Sequence, residues 1–242
     1  MTNIRASLLK RFNALRHSRI ALIKHENSLF LVDRANRLDE KMMGGLDWER
    51  ALRDRAVKEI KDNKLDLFLD IGANLGLYTI DLQRRVSPLE TLAFEPQPDS
   101  YNQLCGNIFA NGLSDLVRAE RIALSDRSGE AVMQVDSDSN IHSGLGDADL
   151  YDKRKFDREI RVPLARFDDL YAFENRRIFL KMDIEGHELQ ALAGMRNLLT
   201  RNKASLQIEC SDPRIDQLRE LMTEFGYRAT GELVYDRFFS NL

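Results

Sequence analysis

The sequence predicts an α/β protein in which helices cover both faces of a mostly parallel β-sheet. From Leu65 onward, short strand-like apolar runs alternate with helix-like segments, and this alternation is typical of a parallel sheet, because parallel strands need crossover connections. The tail YRATGELVYDRFFSNL reads as two closing strands joined near Gly231. The strand-like runs are LDLFLD, LETLAFE, VRAERIAL, RRIFLKMD and ASLQIE, and the helix-like segments span 75–85, 99–110, 187–200 and 213–225.

The size and charge of the chain indicate which class of protein it belongs to and which partners are unsuited to it. It has 242 residues, 43% of them hydrophobic and 31% charged, which is enough for one well-packed domain with an extension. We expect residues 1–60 to form an N-terminal extension and residues 61–242 to form the main domain. The net charge of −3 and the pI near 5.9 argue against nucleic acid as the main partner, because phosphate binding needs a basic surface.

Cysteine usage and hydropathy indicate the compartment. The only cysteines are Cys105 and Cys210, far apart in sequence, so we expect two core residues in a reducing compartment rather than a disulfide framework. No apolar run approaches the roughly 18 residues that span a bilayer, and the run IALI at 20–23 is too short for the core of a signal peptide. These features predict a cytoplasmic protein.

The N-terminal extension begins with a basic segment. Residues before Glu26 carry six lysines and arginines and no acid, and apolar residues recur at helical spacing at Ile4, Leu8, Phe12 and Leu15. Such a helix can make peripheral contact with an anionic membrane, or it can pack on its own domain as a solvated helix. SLFLVD then reads as a strand, and WERALRDRAVKEIKD as a helix that leads into the main domain.

A polar segment interrupts the alternation of strands and helices. It spans about 136–160 and contains two glycines. A segment of this kind inside a regular α/β pattern is typical of a functional loop. We therefore predict that this loop contacts the substrate, with His142 and Ser143 as its candidate binding residues.

The run FLDIGANLGLYTI at 68–80 places a tight turn directly after a strand. Ligands of open parallel sheets bind beyond the carboxyl ends of the strands, and Asp70 lies at such an end. Gly72 and Gly76 allow backbone conformations and a close approach that a side chain would block, and Asn74 is a candidate cap for the helix that follows. Glycines alone indicate little, since any tight strand-to-helix turn favours them.

An acid at the end of the second strand strengthens this interpretation. Glu95 lies 23 positions after Gly72, about the distance at which nucleotide-binding sheets place the acid that binds a ribose diol. The turn lacks the second glycine of the dinucleotide pattern G-x-G-x-x-G, because Asn74 occupies that position. We therefore expect S-adenosylmethionine, which has no phosphates, rather than a dinucleotide.

Four motifs together resemble the FkbM family of S-adenosylmethionine-dependent methyltransferases. They are DIGANLG at 70–76, AFEPQP at 93–98, ALSD at 123–126 and KMDIEGHE at 181–188, and LARFDDL and LQIE also fit the family pattern. The resemblance covers about residue 46 to the C-terminus, and NIHSGLG replaces a Ser-Leu-containing stretch that is usual in the family.

The resemblance has consequences for fold and activity. It implies the class I methyltransferase fold, a Rossmann-like, mostly parallel seven-stranded sheet, so that residues 61–242 become the catalytic domain. It also implies O-methylation of a hydroxyl, on a sugar or glycan or on a secondary metabolite. Asp126 is implied as a partner of the adenine, although an acid in the turn before RSGE is an equally simple interpretation.

The motif KMDIEGHE predicts the reaction centre. Asp183 ends the fourth strand beside the cofactor, and Lys181 is expected to pair with a carboxylate there, because a buried lysine is costly unless its charge is paired. A hydroxyl acceptor must be positioned, and it benefits from a nearby proton acceptor. The candidates are Asp183, Glu185 and His187: His187 has the pKa nearest neutrality, whereas Asp183 is nearer the strand end.

Several assignments stay open from the sequence. Glu209 is a candidate substrate-binding residue, and together with Asp183, Glu185 and His187 it offers ligands for a divalent metal, but there is no compact ligand signature and we expect none. The rival functions are a nucleotide-dependent oxidoreductase, methylation of a non-sugar hydroxyl, and a non-catalytic scaffold that binds the cofactor. We expect a small-molecule or glycan acceptor, and the sequence leaves the oligomeric state undetermined.

Overall fold

A computed structural model describes residues 19–45, 49–136, 139–144, 158–210 and 213–242. The part of the predicted basic helix before residue 19, and residues 137–138 and 145–157 of the predicted loop, lie outside this description. The described strands are β1 (Ile20–His25), β2 (Ser28–Asp33), β3 (Leu67–Ile71), β4 (Glu90–Phe94), β5 (Val117–Glu120), β6 (Ala123–Leu124), β7 (Gly129–Asp136), β8 (Ser139–Gly144), β9 (Arg158–Ala165), β10 (Arg177–Met182), β11 (Lys203–Glu209), β12 (Arg228–Leu233) and β13 (Asp236–Ser240). The described helices are α1 (Arg37–Met43), α2 (Arg50–Asn63), α3 (Leu77–Val86), α4 (Pro98–Ala110), α5 (Phe167–Leu170), α6 (Glu188–Ala193), α7 (Arg196–Arg201) and α8 (Ile215–Glu224).

The central sheet has seven strands in the order β12-β13-β11-β10-β3-β4-β5. β10 pairs in parallel with β11 and β3, and β4 pairs in parallel with β3 and β5. β13 runs antiparallel to both of its neighbours, β11 and β12. The predicted α/β architecture with a mostly parallel sheet is therefore confirmed. The strand order reverses between β3 and β10, which is where open parallel sheets bind ligands.

Helices bury both faces of the central sheet. Leu67, Leu69 and Ile71 of β3 belong to the core beneath α6, α7 and α8, whereas Phe68 belongs to the core beneath α2 and α3. Successive side chains of a strand point to opposite faces, so a strand covered on both sides reads as a continuous apolar run. Asp70 shares the face of Phe68 and is therefore a polar residue inside a buried strand.

A second, four-stranded sheet in the order β6-β9-β7-β8 lies between β5 and β10 in the chain. It corrects two predictions from the sequence. VRAERIAL is not one strand, because β5 pairs in the central sheet whereas β6 pairs with β9 in the second sheet. The segment 136–160 is not wholly a loop, since residues 139–144 form β8 against β7, and β9 starts at Arg158. The small core of this sheet consists of Ala123, Met133, Val135, Val162 and Leu164.

Three other boundaries differ from the sequence prediction. Residues 20–25, assigned to the basic helix, form β1 instead, because Ala21 and Ile23 pack at period two against the core. The helix predicted for 187–200 divides into α6 and α7 at Gly194, which packs so closely that a Cβ there would overlap the carbonyl oxygen of Ser125. The final hairpin turns after Leu233, and Gly231 lies inside β12 at an irregularity of its pairing with β13.

Amide side chains of α4 hold the β1–β2 hairpin against the domain. Asn107 and Asn111 are four residues apart and therefore lie on one face of the helix. Asn107 Oδ1 accepts a hydrogen bond from the Leu31 amide at 2.6 Å, and Asn111 Oδ1 accepts one from the Leu29 amide at 3.0 Å. Asn107 Nδ2 donates to the carbonyl oxygen of Leu75 at 2.8 Å. Asn107 of α4 and Asn111 directly after it thus accept hydrogen bonds from two amides on the open edge of β2.

The helices within the described ranges are short or polar. None of them is long and apolar enough to cross a membrane, and α2 has 14 residues.

Cys105 and Cys210 form no disulfide with each other, and Cys210 is buried.

Candidate active site

A cavity of about 730 Å³ opens at the carboxyl ends of the central parallel strands. Its walls come from the turn after β3, the end of β4, the segment after β10, the end of β11 and the β12–β13 turn. This position is the reversal of strand order between β3 and β10, where the strand ends diverge and leave a crevice. The cavity is therefore the site that the topology favours for a ligand.

The turn after β3 packs closely against neighbouring segments at the edge of the cavity. Gly72 has φ +80°, and a Cβ on it would overlap the carbonyl oxygen of Asp183 in the segment after β10. Asn74 also has positive φ. Gly76 has φ +92°, and a Cβ there would lie 2.6 Å from Leu104 Cδ1. Positions 72 and 76 therefore need a residue that adopts positive φ without strain and that has no Cβ. Only glycine has both properties.

Asp70 lies beneath this turn. It is 0% exposed, and its Oδ2 accepts hydrogen bonds from the amide and the hydroxyl of Thr79 at 3.1 and 2.6 Å. Oδ1 has no hydrogen-bond partner among the described residues, although the residue lines the cavity. Burial raises the pKa of Asp70, and the nearby Lys181 opposes this rise. An orphaned buried oxygen of this kind marks a place for a donor from a ligand.

Glu95 extends the same wall from the end of β4. Its two carboxylate oxygens accept hydrogen bonds from the amides of Asn74 at 2.8 Å and Gln97 at 2.9 Å, so the turn after β3 and the end of β4 are tied together. Glu95 is 6% exposed and lines the cavity. Burial raises its pKa to about 7, while the two backbone donors work in the opposite direction.

Lys181 and Asp183 form an ion pair at the centre of the site. Nζ of Lys181 lies 3.2 Å from Asp183 Oδ2 and 5.1 Å from the centroid of the Tyr78 ring. Lys181 is also the register partner of Asp70 on β3. Burial alone would lower the pKa of Lys181, but the carboxylates of Asp183 and Asp70 outweigh burial and raise it. The pairing that the sequence predicted for this buried lysine is confirmed.

The far end of the cavity is acidic. Glu185, Glu209 and Asp236 line it together with Asp183. Burial and the neighbouring Asp183 raise the pKa of Glu185 to about 8 and that of Glu209 to about 9. Burial raises the pKa of Asp236 to about 6, against a hydrogen bond at 2.7 Å from Gln207 Nε2. At neutral pH, Glu185 and Glu209 therefore carry protons for much of the time.

The structure brings part of the predicted site together. The predicted residues that line the cavity are Asp70, Gly72, Asn74, Glu95, Asp183, Glu185 and Glu209. Three others do not line it. Gly76 lies at the start of α3, and Asp126 is exposed next to Arg127 at 3.5 Å. His187 is buried at the start of α6, where its Nε2 is 2.9 Å from Ser125 Oγ and burial lowers its pKa. The side chains of His142 and Ser143 lie outside the described residues.

Several cavity residues were not predicted from the sequence. Tyr78 lies on α3, and its hydroxyl is 2.9 Å from the Nε2 of Gln207, which joins it to Asp236 on β13. Val234 and Tyr235 form an exposed tip at the β12–β13 turn. Val234 and Tyr235 reach the cavity only because β13 pairs with β11, which no local motif indicates, whereas Tyr78 reaches it from the helix directly after the turn. Within the described residues, no group of three or more His, Cys, Asp or Glu side chains is arranged to hold a metal ion.

Comparison with protein families identifies the family of this chain. Residues 70–229 match the model of the methyltransferase FkbM domain, a span of more than half of the chain. The chain belongs to the FkbM methyltransferase family. The turn after β3, Glu95 and the Lys181–Asp183 pair all fall inside the matched range.

Sequence and structure comparisons also give individual proteins that this chain is similar to. Methyltransferase sdnD of Sordaria araneosa is 29% identical to this FkbM methyltransferase over 191 residues, which is 67% of this chain and 73% of the relative. Among solved structures, M. jannaschii TYW2 in complex with AdoMet is 13% identical, with a TM-score of 0.44 and coverage of 92% of this chain and 84% of that chain. Precorrin-6y C5,15-methyltransferase of Geobacter metallireducens is 12% identical, with a TM-score of 0.46 and coverage of 79% and 86%.

The FkbM methyltransferase has the class I fold and uses S-adenosylmethionine, as the sequence predicted. The residues at the β3 end of the cavity fit this cofactor. Gly72 lines the cavity and lets the turn pack against the Asp183 carbonyl, the Asp70 Oδ1 atom lacks a donor among the described residues, and Glu95 stands at the end of β4. A small-molecule acceptor is implied by the activity of the family.

Proposed function

We propose that this FkbM methyltransferase methylates the oxygen of a hydroxyl group on a sugar or glycan. The observation that carries the proposal is the Lys181–Asp183 pair, which puts a carboxylate at the strand end between the cofactor turn and the remainder of the cavity. A carboxylate beside an acceptor hydroxyl can orient it and receive its proton, an effect worth about 10² to 10⁴ in rate.

The residues at the β3 end bind the cofactor in this proposal. Asp70, Gly72, Asn74 and Glu95 form one continuous wall, and Glu95 offers carboxylate oxygens for the ribose hydroxyls. S-adenosylmethionine supplies an electrophilic methyl group on its sulfonium. The protein positions the acceptor and excludes water, and no covalent enzyme intermediate is needed.

The environment of each acid favours Asp183 as the proton acceptor. Glu185 and Glu209 have pKa values of about 8 and 9, because burial and the charge of Asp183 oppose their ionisation. They are therefore poor bases at neutral pH, since they already hold a proton. His187 is buried against Ser125 and does not line the cavity, which disfavours it as the base.

The far end of the cavity supports a small polar acceptor. Tyr235 is 59% exposed at the mouth and offers an aromatic surface against which the C–H face of a sugar ring can pack. Glu185, Glu209 and Asp236 supply hydrogen-bond acceptors and, where they are protonated, donors for hydroxyl groups. This acidic lining is unsuited to a phosphate backbone, which supports an acceptor other than nucleic acid.

Methyl transfer tests the proposal directly. The protein is incubated with S-adenosylmethionine that carries a labelled methyl group, together with fractionated sugars and glycans. Mass spectrometry then locates the label. We expect an O-methyl ether that forms only with active protein. A label on nitrogen or carbon, or cofactor binding with no transfer to any hydroxyl compound, would contradict O-methylation, and the second result would favour the scaffold alternative.

A further inference from the structure

An exposed apolar turn borders the cavity at the end of β12. Val234 and Tyr235, which we call the hairpin tip, join β12 to β13, and the flanking residues Leu233 and Asp236 pair with each other. Both tip residues line the cavity, yet Val234 is 72% exposed and Tyr235 is 59% exposed. Neither side chain belongs to a hydrophobic core cluster of the described residues. The hairpin tip is therefore accessible to a ligand that occupies the cavity.

The backbone of Val234 is strained. Its φ is +55°, in the left-handed region, where a β-branched residue is an outlier because its Cβ crowds the backbone. A two-residue hairpin turn with positive φ at its first position favours glycine or asparagine there. Valine thus contradicts the preference of its own turn. Backbone strain of this kind clusters at active sites and ligand clamps.

The fold does not account for an aliphatic side chain at position 234. The turn is fixed through its backbone: the carbonyl oxygen of Val234 accepts a hydrogen bond from Arg237 Nη1 at 3.1 Å, and that of Tyr235 accepts one from the Cys210 amide at 3.0 Å. Any residue that tolerates positive φ would keep both bonds. The fold therefore needs a turn at this place, and the valine side chain is left to contact something outside the chain.

The hairpin tip is on the acceptor side of the cavity. In the proposed function, the cofactor occupies the ends of β3 and β4, because the glycine turn follows β3 and Glu95 follows β4. The strand order β4-β3-β10-β11-β13 places the tip on the other side of Asp183, which follows β10. Adjacent strands are about 4.8 Å apart, so two strand spacings put the tip on the order of 10 Å from Asp183. A group that contacts the tip therefore belongs to the acceptor, beyond the six-membered ring that carries the reacting hydroxyl.

Other apolar side chains line the same cavity. Ala51 and Leu52 lie at the start of α2, Ile184 follows Asp183, and Leu233 precedes the tip. Carboxylates in the cavity are suited to sugar hydroxyls, but an aliphatic side chain has no donor or acceptor for them. The lining beyond the carboxylates therefore suits an apolar group.

We propose that the acceptor is an amphiphile, a glycoside that carries an apolar alkyl or aryl group, and that Val234 and Tyr235 bind this group. The inference rests on the proposed function, since it extends the sugar acceptor away from Asp183. Contact with an apolar group removes the exposed surface of Val234 from water, which is favourable in proportion to the area buried. Val234 is thus a residue that determines which acceptors bind, and this contact offsets the strain of its backbone.

Matched glycosides test the inference by binding alone. Methyl and hexyl glycosides of glucose, galactose and mannose are titrated into the protein saturated with S-adenosylhomocysteine, at concentrations where the hexyl compounds are monomeric. Binding is followed by calorimetry or ligand-observed NMR. At least one hexyl glycoside should bind about tenfold more tightly than its methyl counterpart, because burial of about two methylene groups is enough for that gain. If no hexyl glycoside in the set binds more tightly than its methyl counterpart, the inference is overturned.

Variants locate the site of the apolar group. Val234→Asn tolerates positive φ, so its melting temperature should equal or exceed that of the wild type, whereas most of the hexyl preference should be lost. Tyr235→Ser should also reduce the preference, and affinity for S-adenosylhomocysteine should be unchanged in both variants. Phe109→Gln is the matched control, because Phe109 is 80% exposed on α4 and does not line the cavity, and it should keep the preference. A stable Val234→Asn variant with the full hexyl preference would overturn the inference.

Further outcomes separate this inference from the proposed function and from another occupant of the tip. If the protein efficiently methylates free sugars and gains nothing from a hexyl group, the inference fails and the proposed function stands. If the hexyl preference depends on Val234 but no hydroxyl compound is methylated, the apolar site at the tip is supported and the proposed function fails. A dimer in sedimentation velocity that dissociates in Val234→Asn, without any hexyl preference, would assign the tip to a second copy of the chain and overturn the inference.

Discussion

The α-carbon of Gly72 packs against the carbonyl oxygen of Asp183, so closely that a Cβ at position 72 would overlap that oxygen. Gly72 belongs to the turn that we propose binds the cofactor, and Asp183 carries the carboxylate that we propose as the proton acceptor. The contact sets the spacing between the two halves of the site, because backbone atoms on both sides cannot move aside as a flexible side chain would. The absence of a side chain at this position is therefore a requirement of the site.

Gly72→Ala should impair cofactor binding. The substitution adds both a clash with backbone and the cost of alanine at φ +80°, which by itself is about 1–2 kcal/mol. We expect at least a tenfold loss of affinity for S-adenosylhomocysteine in titration calorimetry, with a lower melting temperature. Gly112→Ala is the matched control, because Gly112 also has positive φ but has open space around it. Equal cofactor affinity in the two variants would show that the contact with Asp183 is unimportant.

Glu95 should make cofactor binding depend on pH. Its pKa is about 7 in the free protein, and hydrogen bonds from ribose hydroxyls favour the ionised carboxylate. Affinity for S-adenosylhomocysteine should therefore be weaker below pH 7 and should level off above it. Glu95→Gln should bind roughly tenfold more weakly at pH 8 and lose most of this pH dependence, as measured by calorimetry. A pH dependence that is unchanged in the variant would assign the titration to another group.

Asp183→Asn should separate catalysis from cofactor binding. The substitution preserves size and removes the charge, so methyl transfer should fall by at least about 10²-fold if Asp183 accepts the proton or orients the hydroxyl. Affinity for S-adenosylhomocysteine should change far less, because Gly72 and Glu95 remain. His187→Ala in the same assay tests the alternative base. If the histidine variant is the more damaged and its pH profile shifts, then His187 is the base and Asp183 only positions the acceptor.

The free protein should become less stable as the pH rises from 7 to 9. Glu185 and Glu209 have folded pKa values of about 8 and 9, above the ordinary value of 4.5, so the folded state binds more protons than the unfolded state in this range. The free energy of unfolding then decreases with pH, by at most about 1.4 kcal/mol per unit for each group and by less where solvent screens it. Thermal melts should show a falling midpoint, and Glu209→Gln should flatten the fall.

The central sheet and the cofactor turn were predictable because their signals are local. β3, β4, β10 and β11 are short apolar runs that polar turns delimit, and burial on both faces makes each run continuous. The turn at 72–76 is indicated by two glycines directly after a strand. The same locality explains why the sequence alone predicts a carboxylate partner for Lys181, since a charge in a buried strand needs an opposite charge nearby.

The second sheet and the far end of the cavity were not predictable in this way. β7 and β9 pair across about thirty residues of chain, and the exposed Val132 on β7 blurs the alternation that marks a half-buried strand. Asp236 reaches the cavity only because β13 pairs with β11 in the register that sets it opposite Glu209. The motif that contains His187 likewise does not reveal that its ring turns to Ser125.

The two hydrogen bonds of Asn107 link regions that are distant in the sequence. Its oxygen holds the Leu31 amide of the N-terminal hairpin, and its nitrogen holds the Leu75 carbonyl of the cofactor turn, on a side chain that is 0% exposed. Opening of the hairpin and opening of the turn each break a hydrogen bond of this buried side chain, so we expect the two openings to be coupled. Deuterium uptake at the Leu31 amide should consequently slow when S-adenosylhomocysteine binds, although Leu31 does not line the cavity.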